Sequence, residues 1–167
     1  MTEDQLGPRL TEARHLARKI IKDAGIDTAP VSLWRVIKHL QTGYELYVSR
    51  VSVGTQIAGM LVTVEQEERE FSTIYFNQNH PWCRRRFTIG HEIGHLLMGH
   101  ATQCVDGSND ASETEQEANA FAAELLIPLK LIKADYKKTP NIPTLAHQYQ
   151  TSQQTMGIQL IQLRLVK

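Results

Sequence analysis

The run His91-Glu92-Ile93-Gly94-His95 reads H-E-x-x-H, and it constrains this chain more than any other segment. An α-helix turns by about 100° per residue, so a four-residue step returns to within about 40° of its start. His91 and His95 therefore share one helical face, and both imidazoles can reach one metal ion. Glu92 stands beside them, where a carboxylate can take a proton from a metal-bound water. Two protein ligands are too few for a catalytic metal, so a third must come from elsewhere. Phe87, Thr88 and Ile89 precede the motif, and Leu96, Leu97 and Met98 follow it, which marks a buried helix. Two histidines and a glutamate that served only as hydrogen-bonded core would be costly to bury there. Gly94 costs about 1 kcal/mol against alanine inside a helix, so its presence predicts close approach of another backbone.

The search for a third ligand leads downstream. Residues from Glu115 to Leu126 read as one helix, with Ser112 as its N-cap and Glu115 completing a capping box. A carboxylate there is also favoured by the helix dipole alone. Glu115, Asn119 and Ala122 share a face, which Leu126 continues, and Asn119 is placed to orient a metal ligand. Glu117 is the competitor. It lies about 200° round the helix from Glu115, so the two cannot both face one ion. Spacing favours Glu115 and leaves Glu117 open.

Arg86-Phe87-Thr88-Ile89-Gly90-His91-Glu92-Ile93-Gly94-His95-Leu96-Leu97 resembles the signature of the ImmA/IrrE family of metallo-endopeptidases. The family also carries a downstream E-x-x-A-N-x-F-A-x-x-L-L-x-P segment, and this chain has Glu115-Gln116-Glu117-Ala118-Asn119-Ala120-Phe121-Ala122-Ala123-Glu124-Leu125-Leu126-Ile127-Pro128. The resemblance implies His91, His95 and Glu115 as metal ligands and Glu92 as general base. Residues 57–61 and 74–77 are similar to the family's strands before the metal helix. Residues 145–149 and Ser152 are similar to its helical tail. Gly90 stands where the family usually has alanine, and Gln159-Leu160 where it commonly has Arg-Leu. The resemblance further implies a zincin-like α+β domain acting on helix-turn-helix transcriptional repressors. In the family such cleavage releases genes of mobile elements, prophages or stress responses, and some members sit beside their regulator in pairs resembling toxin–antitoxin systems.

At 167 residues the chain has the length of one domain with a real core. We assign residues 1–141 to a metallopeptidase domain and 142–167 to a helical, helix-turn-helix-like tail packed on it. The formal net charge is +0, which argues against a broad electrostatic grip on nucleic acid. No apolar run approaches the roughly 20 residues that span a bilayer. The start, with Thr2, Glu3 and Asp4, lacks a signal-peptide core, so we expect a cytoplasmic protein whose Cys83 and Cys104 are free thiols.

Hydrophobic periodicity predicts helices from Arg9 to Ala24 and from Ser32 to Leu40. Strands are predicted at Tyr44–Val51, Gln56–Val64 and Phe71–Phe76, forming a small antiparallel or mixed sheet. The polar run Glu65–Glu70 is a hairpin turn, and His80-Pro81 introduces a metal helix from about Trp82 to Gly99. Ala101–Ala111 reads as a polar loop able to gate the site. Two or three short helices follow Leu129.

His100 does not extend the motif, because the three-histidine pattern needs a step of six rather than five. Arg84-Arg85-Arg86 reads as a solvated helix face rather than an anion site. Residues from Ile142 to Leu165 read equally as a helix-turn-helix and as a packing helix pair.

Three ligands leave an open position for water, whose proton Glu92 takes before attack on a peptide carbonyl. We expect one zinc ion, a site that also admits manganese or iron. Tyr75, Tyr136, His147 and Tyr149 are candidate oxyanion donors, and Thr73, Ile74, Tyr75, Phe76 and Asn77 are the expected place for a substrate strand to pair. The leading function is a site-specific endopeptidase acting on a repressor. The alternatives are a non-cleaving or toxin-like partner of a helix-turn-helix protein and a structural metal protein. The intact Glu92 argues against the last, since a structural site needs no base.

Overall fold

Ala13, Ala17, Ile20 and Ile21 recur at helical spacing and are all buried on one stripe of α1 (Leu10–Asp23). Ser32 caps α2 (Leu33–Leu40), its hydroxyl accepting from the Arg35 N–H. These coordinates are a computed structural model, and they describe residues 7–100 and 112–166. The expected gating loop 101–111, with Cys104, lies outside the described residues.

Three strands follow: β1 (Glu45–Val51), β2 (Gly59–Gln66) and β3 (Arg69–Asn77). β2 and β3 form an antiparallel hairpin around Glu67 and Glu68, both at positive φ, the two-residue turn whose twist suits paired strands. β1 runs parallel to β3, so the sheet is mixed, in the order β1-β3-β2.

Pro81 leads into α3 (Trp82–Met98), and Gly99, at φ 70°, ends it in the left-handed conformation. Then come α4 (Glu113–Leu126), α5 (Leu129–Lys138), α6 (Ile142–Tyr149) and α7 (Gln153–Gln162). α3 and α4 lie side by side, the sheet packs on α3, and α1 covers α4. One hydrophobic core runs through them, with Ala17, Ile74, Ile93, Phe121, Leu125, Tyr149, Met156 and Leu160 all buried in it. α6 and α7 thus share a core with α3. The outward face of α7 carries Gln153, Gln154, Ile158, Ile161 and Gln162, with no cation to meet a phosphate.

Gln159 shows how the departure at the tail is absorbed. Its amide donates to Glu124 Oε2 and to the Ile127 carbonyl, both at 3.2 Å. Arg18 of α1 supplies the cation for Glu124, at 2.8 Å from Oε1.

Two expectations are corrected. Thr73, Ile74, Tyr75, Phe76 and Asn77 lie on the central strand and cannot accept a substrate strand. Thr73 pairs with Tyr47 on one side and Val62 on the other, and the pairing continues in step to Phe76, between Arg50 and Gly59. Asn77 is fully buried and staples the loop after β1, its amide nitrogen 2.8 Å from the Ile57 carbonyl. The arginine run is not wholly solvated either. Arg86 is buried, and its guanidinium donates to the Val31 carbonyl at 2.8 Å, anchoring α3 to the entry of α2.

Candidate metal centre

α3 presents His91 and His95 one turn apart, and α4 presents Glu115 from its first turn. The helices come close enough for the three to meet because Gly94 lies directly against the Ala118 backbone. His91 Nε2 is 3.1 Å from Glu115 Oε2, His95 Nε2 is 3.0 Å from Glu115 Oε1, and the two Nε2 atoms are 2.9 Å apart. One donor atom from each residue lies within 4.8 Å of the others, near enough to hold one metal ion. Half of the expected capping box is present. Ser112 Oγ accepts from the Glu115 N–H, but the Glu115 side chain turns to the histidines instead of back to the cap.

The other ring nitrogens are also engaged. His91 Nδ1 lies 2.9 Å from Asn119 Oδ1. His95 Nδ1 lies 2.8 Å from His100 Nδ1, and His100 Nε2 lies 2.8 Å from Glu117 Oε2. Glu117 in turn accepts from the backbone N–H of Arg9 at 2.8 Å and from its guanidinium at 2.9 Å. Glu117, the rival ligand, therefore faces α1 instead of the cluster. His100 does not extend the H-E-x-x-H motif along the helix, yet it stands behind His95. The helix has ended by then, and a glycine just before a histidine was the signal that the ring could fold back.

The donor set fits a cation. An amide oxygen only accepts, so His91 Nδ1 carries the hydrogen and its Nε2 presents a lone pair. That lone pair faces a carboxylate and a second imidazole nitrogen, and such a convergence needs a positive centre. Two nitrogens and one oxygen suit zinc and admit manganese or iron.

Without a metal the cluster favours a proton in the same place. Burial works against a charged His91, but the hydrogen bond to Glu115, the charges of Glu92 and Glu115, and Asn119 outweigh it and raise its pKa. Burial, reinforced by His91, pushes His95 down to about 4. The hydrogen bond to His91 leads the effects that lower Glu115. Glu92 is buried on α3, next to His91.

Tyr149, among the four candidate oxyanion donors, is fully buried, and its hydroxyl donates to Asp135 Oδ2 at 2.7 Å. It is committed to the core. A cleft of about 500 Å³ adjoins Asn119 and is lined by Phe87, Leu10, Ala120, Gln154 and Ile158 among others.

The sequence model of the IrrE N-terminal-like domain, a peptidase family, matches residues 51–160. No curated protein matches the chain. A solved Mycobacterium tuberculosis transcriptional regulator shares the fold with a TM-score of 0.64 at 12% identity, over 87% of this chain and 45% of that one. The chain thus spans under half the length of that protein, and at this identity the likeness concerns fold alone.

Proposed function

The chain belongs to the IrrE N-terminal-like family of peptidases, and from that premise we propose that it is a cytosolic metal-dependent endopeptidase that cleaves a helix-turn-helix transcriptional repressor. The observation that carries the peptidase reading is the meeting of His91, His95 and Glu115 around one point, with Glu92 adjacent on the same helix. A divalent ion bound there supplies Lewis acidity to a water and to the scissile carbonyl. Glu92 takes the proton of the attacking water as its oxygen bonds to the carbonyl carbon. It then returns that proton to the leaving amine as the peptide bond breaks. His91, His95 and Glu115 would hold the ion, and Asn119 would orient His91.

The substrate strand is assigned to the outer edge of β2 (Gly59–Gln66), which pairs with no further strand among the described residues, since β3 is closed on both sides. Gly59 lies against Thr88, one turn before His91, so this edge begins beside the metal helix. The cleft at Phe87, Asn119 and Ile158 takes side chains flanking the cut bond.

The test is incubation of the zinc-loaded protein with a helix-turn-helix regulator from its own gene neighbourhood, the arrangement that the family resemblance leads us to expect. We expect cutting at one or few bonds, abolished by chelation, with little digestion of casein-like proteins. Glu92→Gln keeps its metal and lowers the rate by about 10²–10⁴. Undiminished cleavage by Glu92→Gln, or rapid indiscriminate digestion by the unaltered protein, overturns the proposal.

A further inference from the structure

We infer that Arg9, Glu117 and His100 form a positioning relay that turns the His95 Nε2 lone pair to the ligand cluster, so that the seat of helix α1 governs metal affinity. The inference rests on the reading of His95 as a metal ligand and goes beyond it. Arg9 lies outside the matched segment 51–160, so the family match does not account for it.

The hydrogen inventory fixes each link from the one before it. The Arg9 backbone N–H and guanidinium can only donate, and the Glu117 carboxylate only accepts. Both carboxylate oxygens are used, Oε1 at 2.8 Å from the Arg9 nitrogen and Oε2 at 2.9 Å from its Nη2. His100 Nε2 stands 2.8 Å from Oε2 and so carries the hydrogen of that bond. A neutral imidazole has one N–H, which leaves His100 Nδ1 as an acceptor. At 2.8 Å from it, His95 Nδ1 must then be the donor. The remaining nitrogen of His95, Nε2, is bare and faces Glu115 and His91.

Local backbone explains how His100 reaches this place. Gly99 takes the left-handed conformation, and the His100 N–H bonds back to the His95 carbonyl at 3.0 Å. This turn folds the His100 ring onto His95, where a continuing helix would have carried it about 140° away. The relay is sheltered, with His95 and Glu117 each 4% exposed and His100 9%. Arg9 Nη2 also donates to the Met98 carbonyl at 3.2 Å, so one side chain ties α1 to the end of α3 and the first turns of α4.

Nitrogen-15 NMR on the full, metal-free chain reads which ring nitrogen holds each hydrogen. We expect His100 protonated at Nε2 and His95 at Nδ1; a hydrogen on His95 Nε2 overturns the relay without any substitution. Zinc affinity, measured by chelator competition, gives the second readout. His100→Phe should weaken zinc by about 10–100-fold. His100→Gln, which keeps a carbonyl acceptor, should recover part of that loss, and Arg9→Ala should show a smaller loss. Unaltered zinc affinity in His100→Phe overturns the relay, and unaltered affinity in Arg9→Ala removes α1 from it. Failure of the unaltered chain to take up zinc would sink the metal assignment instead, and the NMR tautomers would still judge the relay.

Discussion

A methyl group placed on Gly94 would stand 3.1 Å from the Cα of Ala118 and 3.2 Å from its carbonyl oxygen. Both neighbours are helix backbone and cannot swing aside. The contact sets how closely α3 approaches α4, and Glu115 sits one turn before Ala118 on the same helix. Gly94→Ala should gain about 1 kcal/mol of helix propensity and lose about 1–3 kcal/mol to overpacking. We therefore expect a net drop in stability and weaker metal binding. Gly90 is the internal control. A methyl there would meet Ala122 Cβ at 3.5 Å and Leu125 Cδ2 at 3.6 Å, which are ordinary contacts. Gly90→Ala should stabilise by up to about 1 kcal/mol. Thermal unfolding of the pair checks this, and equal shifts in the two variants would count against the packing argument.

Glu115 and Glu117 are two residues apart and have different work, which separates their variants. Glu115→Ala removes one of three donors and should leave protein purified without added metal largely empty. Glu117→Ala removes the support behind His100 and the tie to Arg9 but no metal donor, so one ion should remain, bound more weakly. Elemental analysis reads both. Full occupancy in Glu115→Ala with loss in Glu117→Ala would reverse the assignment.

The parts legible from sequence were those with a short period. The i, i+4 step of the histidines, the stripe on α1 and the Ser112 cap are local, and each stands where spacing placed it. Strand order was not legible, because alternation along Arg69–Asn77 does not say whether one edge or both are paired. That gap produced the misplaced substrate strand. Arg86 was misread for a related reason, since three consecutive cations look solvated until a neighbouring carbonyl, that of Val31, is brought to one of them. The link from Arg9 to Glu117 spans more than a hundred positions, and no periodicity carries it.

The cleft beside Asn119 offers a milder probe of recognition than truncation. Deleting the chain after Asn141 would remove the buried Leu145, Tyr149, Met156 and Leu160, and with them part of the common core. Ile158 is 48% exposed and lines the cleft without filling that core. Ile158→Glu should leave fold and zinc content unchanged and raise KM for the repressor, with a cost of about 1–3 kcal/mol if an apolar side chain binds there. Cleavage kinetics on the intact repressor and on a short peptide check it. Equal kinetics of variant and parent on both would remove the cleft from the substrate path.

Acid should loosen the metal-free protein through Glu117. Burial alone would raise this carboxyl, but the backbone N–H and guanidinium of Arg9, with His100, outweigh it and hold its pKa at about 2, below the ordinary 4.5. A group depressed in the folded state contributes stability above its unfolded value and loses it as pH falls toward the folded one. The window therefore runs from about 4.5 down to about 2. Glu115, also lowered, acts with the same sign. His95, held at about 4, loses its share earlier, starting near 6.5. His91 is raised and opposes it, its contribution being complete below 6.5 and lost as pH climbs through its folded value. The two histidines thus act with opposite signs, whereas the two carboxylates act with the same sign. Urea unfolding of the metal-free protein from neutral pH to about 3 should show a falling limb below about 4.5. Glu117→Gln should be less stable at neutral pH and show a shallower limb. An unchanged limb in that variant would mean that Glu117 is not among the groups whose protonation unfolds the chain.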